Sequence, residues 1–255
     1  MQTRGDFPWW LVAASALGLY FLWRIVSDDL YSQVLTTLSQ GVAITLFVTV
    51  VGFALASLLG LLLALGSTAR WLVVRQAVRF YVEIVRGIPI LVLLLYVAFV
   101  LAPFLVELWN LIGLPEARTR DFPLIWRAIL ALVIGYSAFI AEVFRAGLLS
   151  VDPGQTEAAK ALGLSSWQRF RLIVLPQAIK TILPPLGNDF IAMIKDSSLV
   201  SVLGVLDITQ LGKVTAAGNF RYFETYNVVA FLYLAMTIGL SLLLRRLERH
   251  LNRKP

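Results

Sequence analysis

The chain contains no cysteine and a single histidine, His250. The first absence excludes a disulfide framework, a thiolate metal site and a cysteine nucleophile. The second excludes a histidine-based catalytic centre inside the hydrophobic body, because His250 lies in a basic C-terminal tail. No nucleophile–base pair or metal-ligand constellation is visible, so no catalytic residue and no metal ligand is assigned. A Gly-x-x-x-x-Gly-Lys-Ser/Thr stretch is also missing. Gly212-Lys213 is followed by Val214 and lacks the upstream glycine, so the chain is not expected to bind or hydrolyse ATP. Charge is scarce: 15% of the 255 residues are charged, against 59% hydrophobic. A soluble domain of this size needs far more polar surface, and the mean hydropathy of +0.81 points to a membrane protein. The net charge of +7 is concentrated in a few loops and the C-terminus. It reads as topology and contact with anionic lipid, not as nucleic-acid binding.

What the chain does have is long apolar runs. A spanning helix needs about 20 apolar residues. Six segments are expected to cross: Phe7 to Trp23, Gly41 to Gly66, Ile88 to Val106, Pro123 to Ala146, Gln177 to Leu206 and Tyr226 to Leu244. The first lacks a clear small-x-small cleavage site before Asp28, which points to an uncleaved span. In the second, Gly52, Ala56, Gly60 and Ala64 repeat every fourth residue and line one helix face for close packing. The fifth is interrupted by Pro184-Pro185, Asp189 and Lys195-Asp196. With six spans both termini share a side. That side receives Arg4, Arg70, Arg75, Arg79, Lys160, Arg169, Arg171 and the basic tail, so it is expected to face the cytoplasm. The fold class expected is an all-α, multi-pass membrane protein.

The polar stretch at about 148–176 lies between two of these segments. Asp152-Pro153-Gly154 makes a turn. Gln155 to Leu162 is rich in helix formers, Gly163 ends that helix, and Ser165 or Ser166 caps a second one carrying Trp167, Phe170 and Leu172. Two readings stand on these residues alone: a docking hairpin for a partner protein, or a hairpin lying on the membrane surface.

The order Glu157-Ala158-Ala159, Gly163 and Ile173-Val174-Leu175-Pro176 resembles the cytoplasmic EAA loop of ABC importer permeases. There, Glu-Ala-Ala is followed by glycine at the seventh position and by Ile-x-Leu-Pro further on. The segments at 80–89, 139–147 and 187–199 resemble permeases of the polar amino acid group, which imports histidine, arginine, glutamine, glutamate and related solutes. The resemblance covers roughly Gly41 to the C-terminus. It implies a five-helix permease domain over 38–255, with residues 1–37 an addition that brings a cytoplasmic N-terminus and one extra helix. It implies a bacterial-type inner membrane, with Glu157, Ala158, Ala159, Gly163 and Leu164 coupling to ATPases. The implied partners are two ABC ATPase subunits holding ATP and magnesium, a second permease (identical or homologous) and an extracytoplasmic solute-binding protein.

Ionisable groups inside spans are costly and point to function. Lys195 and Asp196 lie roughly ten residues beyond Pro184-Pro185, or about 15 Å at helical rise. Asp196-Ser197-Ser198 also reads as a helix start, whose free N–H groups suit a carboxylate. Lys195 and these N–H groups then hold the α-carboxylate of an amino acid, and Asp196 its ammonium. The competing reading is an ion pair that stabilises a broken helix. Glu83 and Arg86 form an i,i+3 pair before Gly87-Ile88-Pro89, where the helix should falter. They line the path or its gate, or mark the membrane interface. Asp189 and Asn188 are further cavity candidates, and Glu142 with Arg145 an ion pair anchoring the polar loop. Rivals to the amino-acid importer are a permease for an opine or a sulfur amino acid, and an ion-coupled secondary carrier.

Overall fold

The computed structural model describes residues 9–113 and 115–252. Arg4 and Phe7, used above for topology and for the first span, lie outside them. Among the described residues every regular element is helical and no strand occurs. The α-helices are α1 (Trp9–Ser27), α2 (Asp29–Ser67), α3 (Leu72–Gly87), α4 (Ile90–Tyr96), α5 (Ala102–Leu111), α6 (Leu124–Leu149), α7 (Pro153–Ala161), α8 (Ser166–Arg169), α9 (Leu175–Asp196), α10 (Ile208–Asn219) and α11 (Tyr222–Asn252). A π-helical turn, Val97–Leu101, joins α4 to α5, and another, Phe170–Val174, joins α8 to α9.

Among the described residues, four helical stretches are long and apolar enough to cross a membrane: Asp29–Ser67, Ile90–Leu111, Leu124–Leu149 and Tyr222–Arg249. The apolar stretch Leu11–Ser27 of α1 is shorter. α9 carries Lys180, Asp189, Lys195 and Asp196 and does not meet that measure of apolarity.

α2 begins at Asp29 rather than Gly41. Asp28 caps it, its carboxylate accepting from the Leu30 N–H at 3.0 Å. The first turns escape a hydropathy reading because polar residues share them with Tyr31, Val34 and Leu38. Those three are nonetheless buried, in a cluster with Ile208 and Val228, while the Thr36 and Thr37 hydroxyls return to carbonyls one turn back. The boundary expected between residues 37 and 38 therefore falls within an unbroken helix.

The expected small-residue face of α2 packs on α6. Gly52, Ala56, Gly60 and Ala64 are all buried. A Cβ at Gly60 would lie 2.8 Å from Ile140 Cγ2 and 3.1 Å from the Ser137 carbonyl oxygen, so glycine permits the approach. α6 is the central helix: 67% of its most apolar window is buried, against 11% for α11. The main core joins α6 to α2, α3, α4, α9 and the 3-10 turn Ser197–Leu203. Arg127, buried near the start of α6, donates to the carbonyls of Phe122 at 2.8 Å, Ala98 at 3.1 Å and Thr119. One guanidinium thus satisfies a connection that would otherwise bury bare carbonyls.

Two expectations about the fifth segment are corrected. Pro184 and Pro185 do not interrupt it, and α9 runs through both. Proline removes N–H donors, but its fixed φ is close to helical, and packing against α6 holds the helix. There a Cβ at Gly147 would run into Ile182. The second correction concerns Asp196, which ends α9 and starts no new α-helix.

Candidate functional site

Two regions carry the residues singled out above: the hairpin after α6, and a cavity between α3, α6 and α9. The hairpin is built locally. Asp152 caps α7, its carboxylate accepting from the Gly154 N–H at 2.7 Å, with Pro153 at the first helical position. Gly163 takes φ +81°, a left-handed value that favours glycine. Its N–H donates to the Lys160 carbonyl at 3.0 Å, and the Leu164 N–H donates to that of Ala159 at 3.1 Å. This is a Schellman closure. Ser165 and Gln168 then form a reciprocal capping box that starts α8. Ala159 is buried, whereas Glu157, Ala158, Lys160 and Gly163 are exposed and Leu164 half-buried. Trp167 stacks on Phe170 at 5.9 Å between ring centroids. Trp167, Leu162 and Leu172 present apolar surface outward, at 66%, 80% and 60% exposure.

The hairpin segment is tied to α9 at two points. Gln177 Nε2 donates to Gln155 Oε1 at 2.6 Å, and Ser150 Oγ donates to Thr181 Oγ1 at 3.2 Å. Glu142 and Arg145 form the expected ion pair at 2.6 Å, but both belong to α6 and the pair bonds no residue of the hairpin, so it does not anchor the loop.

The cavity is assembled from distant parts of the chain. α3 ends at Gly87, Ile88 is extended (φ −96°, ψ 128°), and α4 starts after Pro89. This is the expected break. Irregular backbone of this kind is tolerated within a helical membrane body where it borders a cavity. Gly135, Tyr136 and Phe139 of α6 and Asp189, Ala192 and Asp196 of α9 complete a cavity of about 550 Å³. The Tyr136 hydroxyl donates to Asp196 Oδ2 at 2.7 Å. Arg86 lines the cavity and stacks over the Phe139 ring, 5.5 Å from its centroid. A second cavity of about 490 Å³ lies between α3 and the far end of α6. Arg75, Arg79, Glu83, Arg86, Glu142 and Arg145 contribute its charged walls. Arg86 therefore borders both.

Of the expected solute-binding residues, the fold brings Arg86 and Asp196 together on the first cavity. Glu83 lies on the second and forms no ion pair with Arg86. Lys195 is exposed and does not line the first cavity. Ser197 is fully buried, its hydroxyl donating to the Ile194 carbonyl at 2.7 Å. Ser198 is half-buried and does not line the cavity. The helix-start reading fails because the Asp196 carboxylate turns to Tyr136 and the chain tightens directly into a 3-10 turn, leaving no fresh row of free N–H groups. Tyr136 is a site residue that no sequence feature marks. Asp189 does line the cavity, and Asn188 is exposed.

A break between α3 and α4 thus borders a largely apolar cavity that carries three charged side chains, Arg86, Asp189 and Asp196, and a helical hairpin closed by glycine follows α6. The chain belongs to the binding-protein-dependent transport system inner membrane components, whose family model matches residues 56–255. It is 37% identical over 215 residues to the glutamine transport system permease protein GlnP of Escherichia coli (strain K12), which covers 84% of this chain and 93% of that one. It is also 37% identical over 217 residues to the probable amino-acid permease protein YxeN of Bacillus subtilis (strain 168), covering 85% and 92%. A solved amino acid ABC transporter with histidines superposes with a TM-score of 0.73 at 35% identity, covering 89% of this chain and 98% of that one. The chain is thus an inner-membrane permease subunit of an ABC importer. Such a component works with a separate ATPase and a binding protein.

Proposed function

We propose that this subunit forms the membrane path of an importer for polar amino acids, and that the cavity of Arg86, Tyr136 and Asp196 is where the solute rests in transit. One observation carries the reading: a guanidinium and a tyrosine-buttressed carboxylate border the same cavity. An amino acid presents a carboxylate and an ammonium at one carbon, and these two groups complement them. The similarity to amino-acid permeases supports the same solute class. Arg86 takes the α-carboxylate in place of Lys195, and Asp196 takes the ammonium.

In this reading the hairpin of Glu157, Ala158, Ala159, Gly163 and Leu164 docks on one of two ATPases that bind ATP and magnesium. A second permease, identical or homologous, completes the path. The hairpin and both termini face the cytoplasm, residues 1–37 are an addition to a permease domain at 38–255, and α1 with α9 brings the spans to six. Closure of the ATPases drives alternating access through the ties from the hairpin segment to α9.

The test is purification of the tagged complex in mild detergent, with mass spectrometry of its partners and amino-acid binding measured alongside. The wild type is expected to bring an ATPase and to bind a polar amino acid. Gly163→Asp should lose the ATPase and keep binding, and Asp196→Asn should do the reverse. A folded wild type that captures no ATPase, or an Asp196→Asn protein with wild-type affinity and uptake, would sink the corresponding half of the reading.

A further inference from the structure

The two carboxylates of the cavity differ in what they are bonded to. Asp196 Oδ2 accepts from Tyr136. Asp189 Oδ2 is shielded from solvent and has no hydrogen-bond partner. That oxygen faces protein, but Asp189 itself lines the cavity, and rotation of its carboxyl, whose terminal torsion is soft, turns the unpaired oxygen toward a donor brought by a ligand. The two acids also share a face. They stand seven residues apart on α9, two turns or about 10.5 Å along the axis. Ala192, between them, is also on the cavity wall and brings only a methyl group there. A long side chain with a donor at its tip bridges that distance when the α-ammonium sits at Asp196, whereas a short one leaves Asp189 unmet.

Charge points the same way. The lining carries one cation, Arg86, and two anions, Asp189 and Asp196, a formal balance of −1. A zwitterion with a neutral side chain leaves that excess uncompensated in a partly dehydrated cavity. One with a positive side chain neutralises it, and one with a negative side chain doubles it. We infer that Asp189 reads the solute's side chain and makes the cavity selective for amino acids whose side chain ends in a cation. This rests on the amino-acid reading above, because Asp196 and Arg86 must first hold the α-carbon groups.

The experiment is calorimetric binding of lysine and of glutamine to the purified permease–ATPase complex in nanodiscs, without the binding protein. The wild type is expected to hold lysine about tenfold or more tightly than glutamine, the scale of a charge-assisted hydrogen bond. In Asp189→Asn, which keeps the shape and removes the charge, the ratio should fall to about one, and Asp189→Glu should restore part of it. Asp196→Asn should weaken both ligands and leave their ratio in place. Equal wild-type affinities, a preference for glutamine, or equal loss of both ligands in Asp189→Asn overturns the role of Asp189 while the amino-acid reading stands. Binding of neither ligand by the folded wild-type complex overturns both.

Discussion

The hairpin at α7–α8 and the cavity between α3, α6 and α9 are built from opposite kinds of contact. The hairpin closes through hydrogen bonds between residues three to five apart: Gly163 to Lys160, Leu164 to Ala159, Ser165 with Gln168. The cavity depends on partners such as Tyr136 and Asp196, 60 residues apart. A locally closed element keeps its shape while its surroundings shift. A cavity whose walls come from separate helices changes shape whenever those helices move. A transporter needs both, one to receive force and one to yield to it.

The broadest way to break the contrast is to strike the packing on which both regions stand. Gly60→Leu places a side chain into Ile140 and the Ser137 carbonyl. It should cost about 3 kcal/mol or more, and size-exclusion chromatography in detergent should show loss of the folded subunit. Tyr136→Phe tests the cavity alone. Losing a hydrogen bond to a charged group costs about 1.5–3 kcal/mol. Amino-acid affinity should drop by about tenfold or more, with ATPase co-purification unchanged. The converse is Gly163→Val, which places a β-branched residue at φ +81° at a cost of about 1–2 kcal/mol. ATPase capture should weaken in a pull-down titration while amino-acid binding holds. The smallest change expected is that of Ser165→Ala. Loss of the cap costs about 1 kcal/mol and should appear as faster hydrogen exchange over residues 165–169, with the cavity untouched. If a hairpin variant altered solute affinity as much as Tyr136→Phe does, the two regions would be one cooperative unit and the contrast would fail.

The same contrast explains what could be read from the residues. Glycine's place after α7, the Ser165 cap and the break at Gly87-Ile88-Pro89 are governed by neighbours in the chain, and the structure has all three. The small-residue face of α2 was legible for a similar reason, since its period needs only one helix. The bond between Tyr136 and Asp196 was not, because nothing local says which turn of α6 faces which turn of α9. Lys195 and Asp196 looked equivalent as neighbours, yet helical geometry sends adjacent side chains about 100° apart, and only Asp196 reaches the cavity. The prolines of α9 misled for the opposite reason: a local breaker signal was overruled by packing at Gly147 and Ile182. The start of α2 was hidden because its buried stripe is only one residue in three or four wide.

The length of α2 has a mechanical consequence. Its 39 residues make a rod of about 58 Å at 1.5 Å per residue, nearly twice the roughly 30 Å of a bilayer's hydrocarbon. The surplus is not loose: at the Asp29 end Tyr31, Val34 and Leu38 are buried beside Ile208 and Val228. At the other end, Ala64 is buried within a few residues of the start of α3. A rod gripped at both ends behaves as a lever arm. A tilt of about 10° about its centre carries each tip some 5 Å in opposite directions, by the same rise per residue. Small rotations in the middle of the subunit thereby become ångström-scale strokes on both faces of the membrane at once.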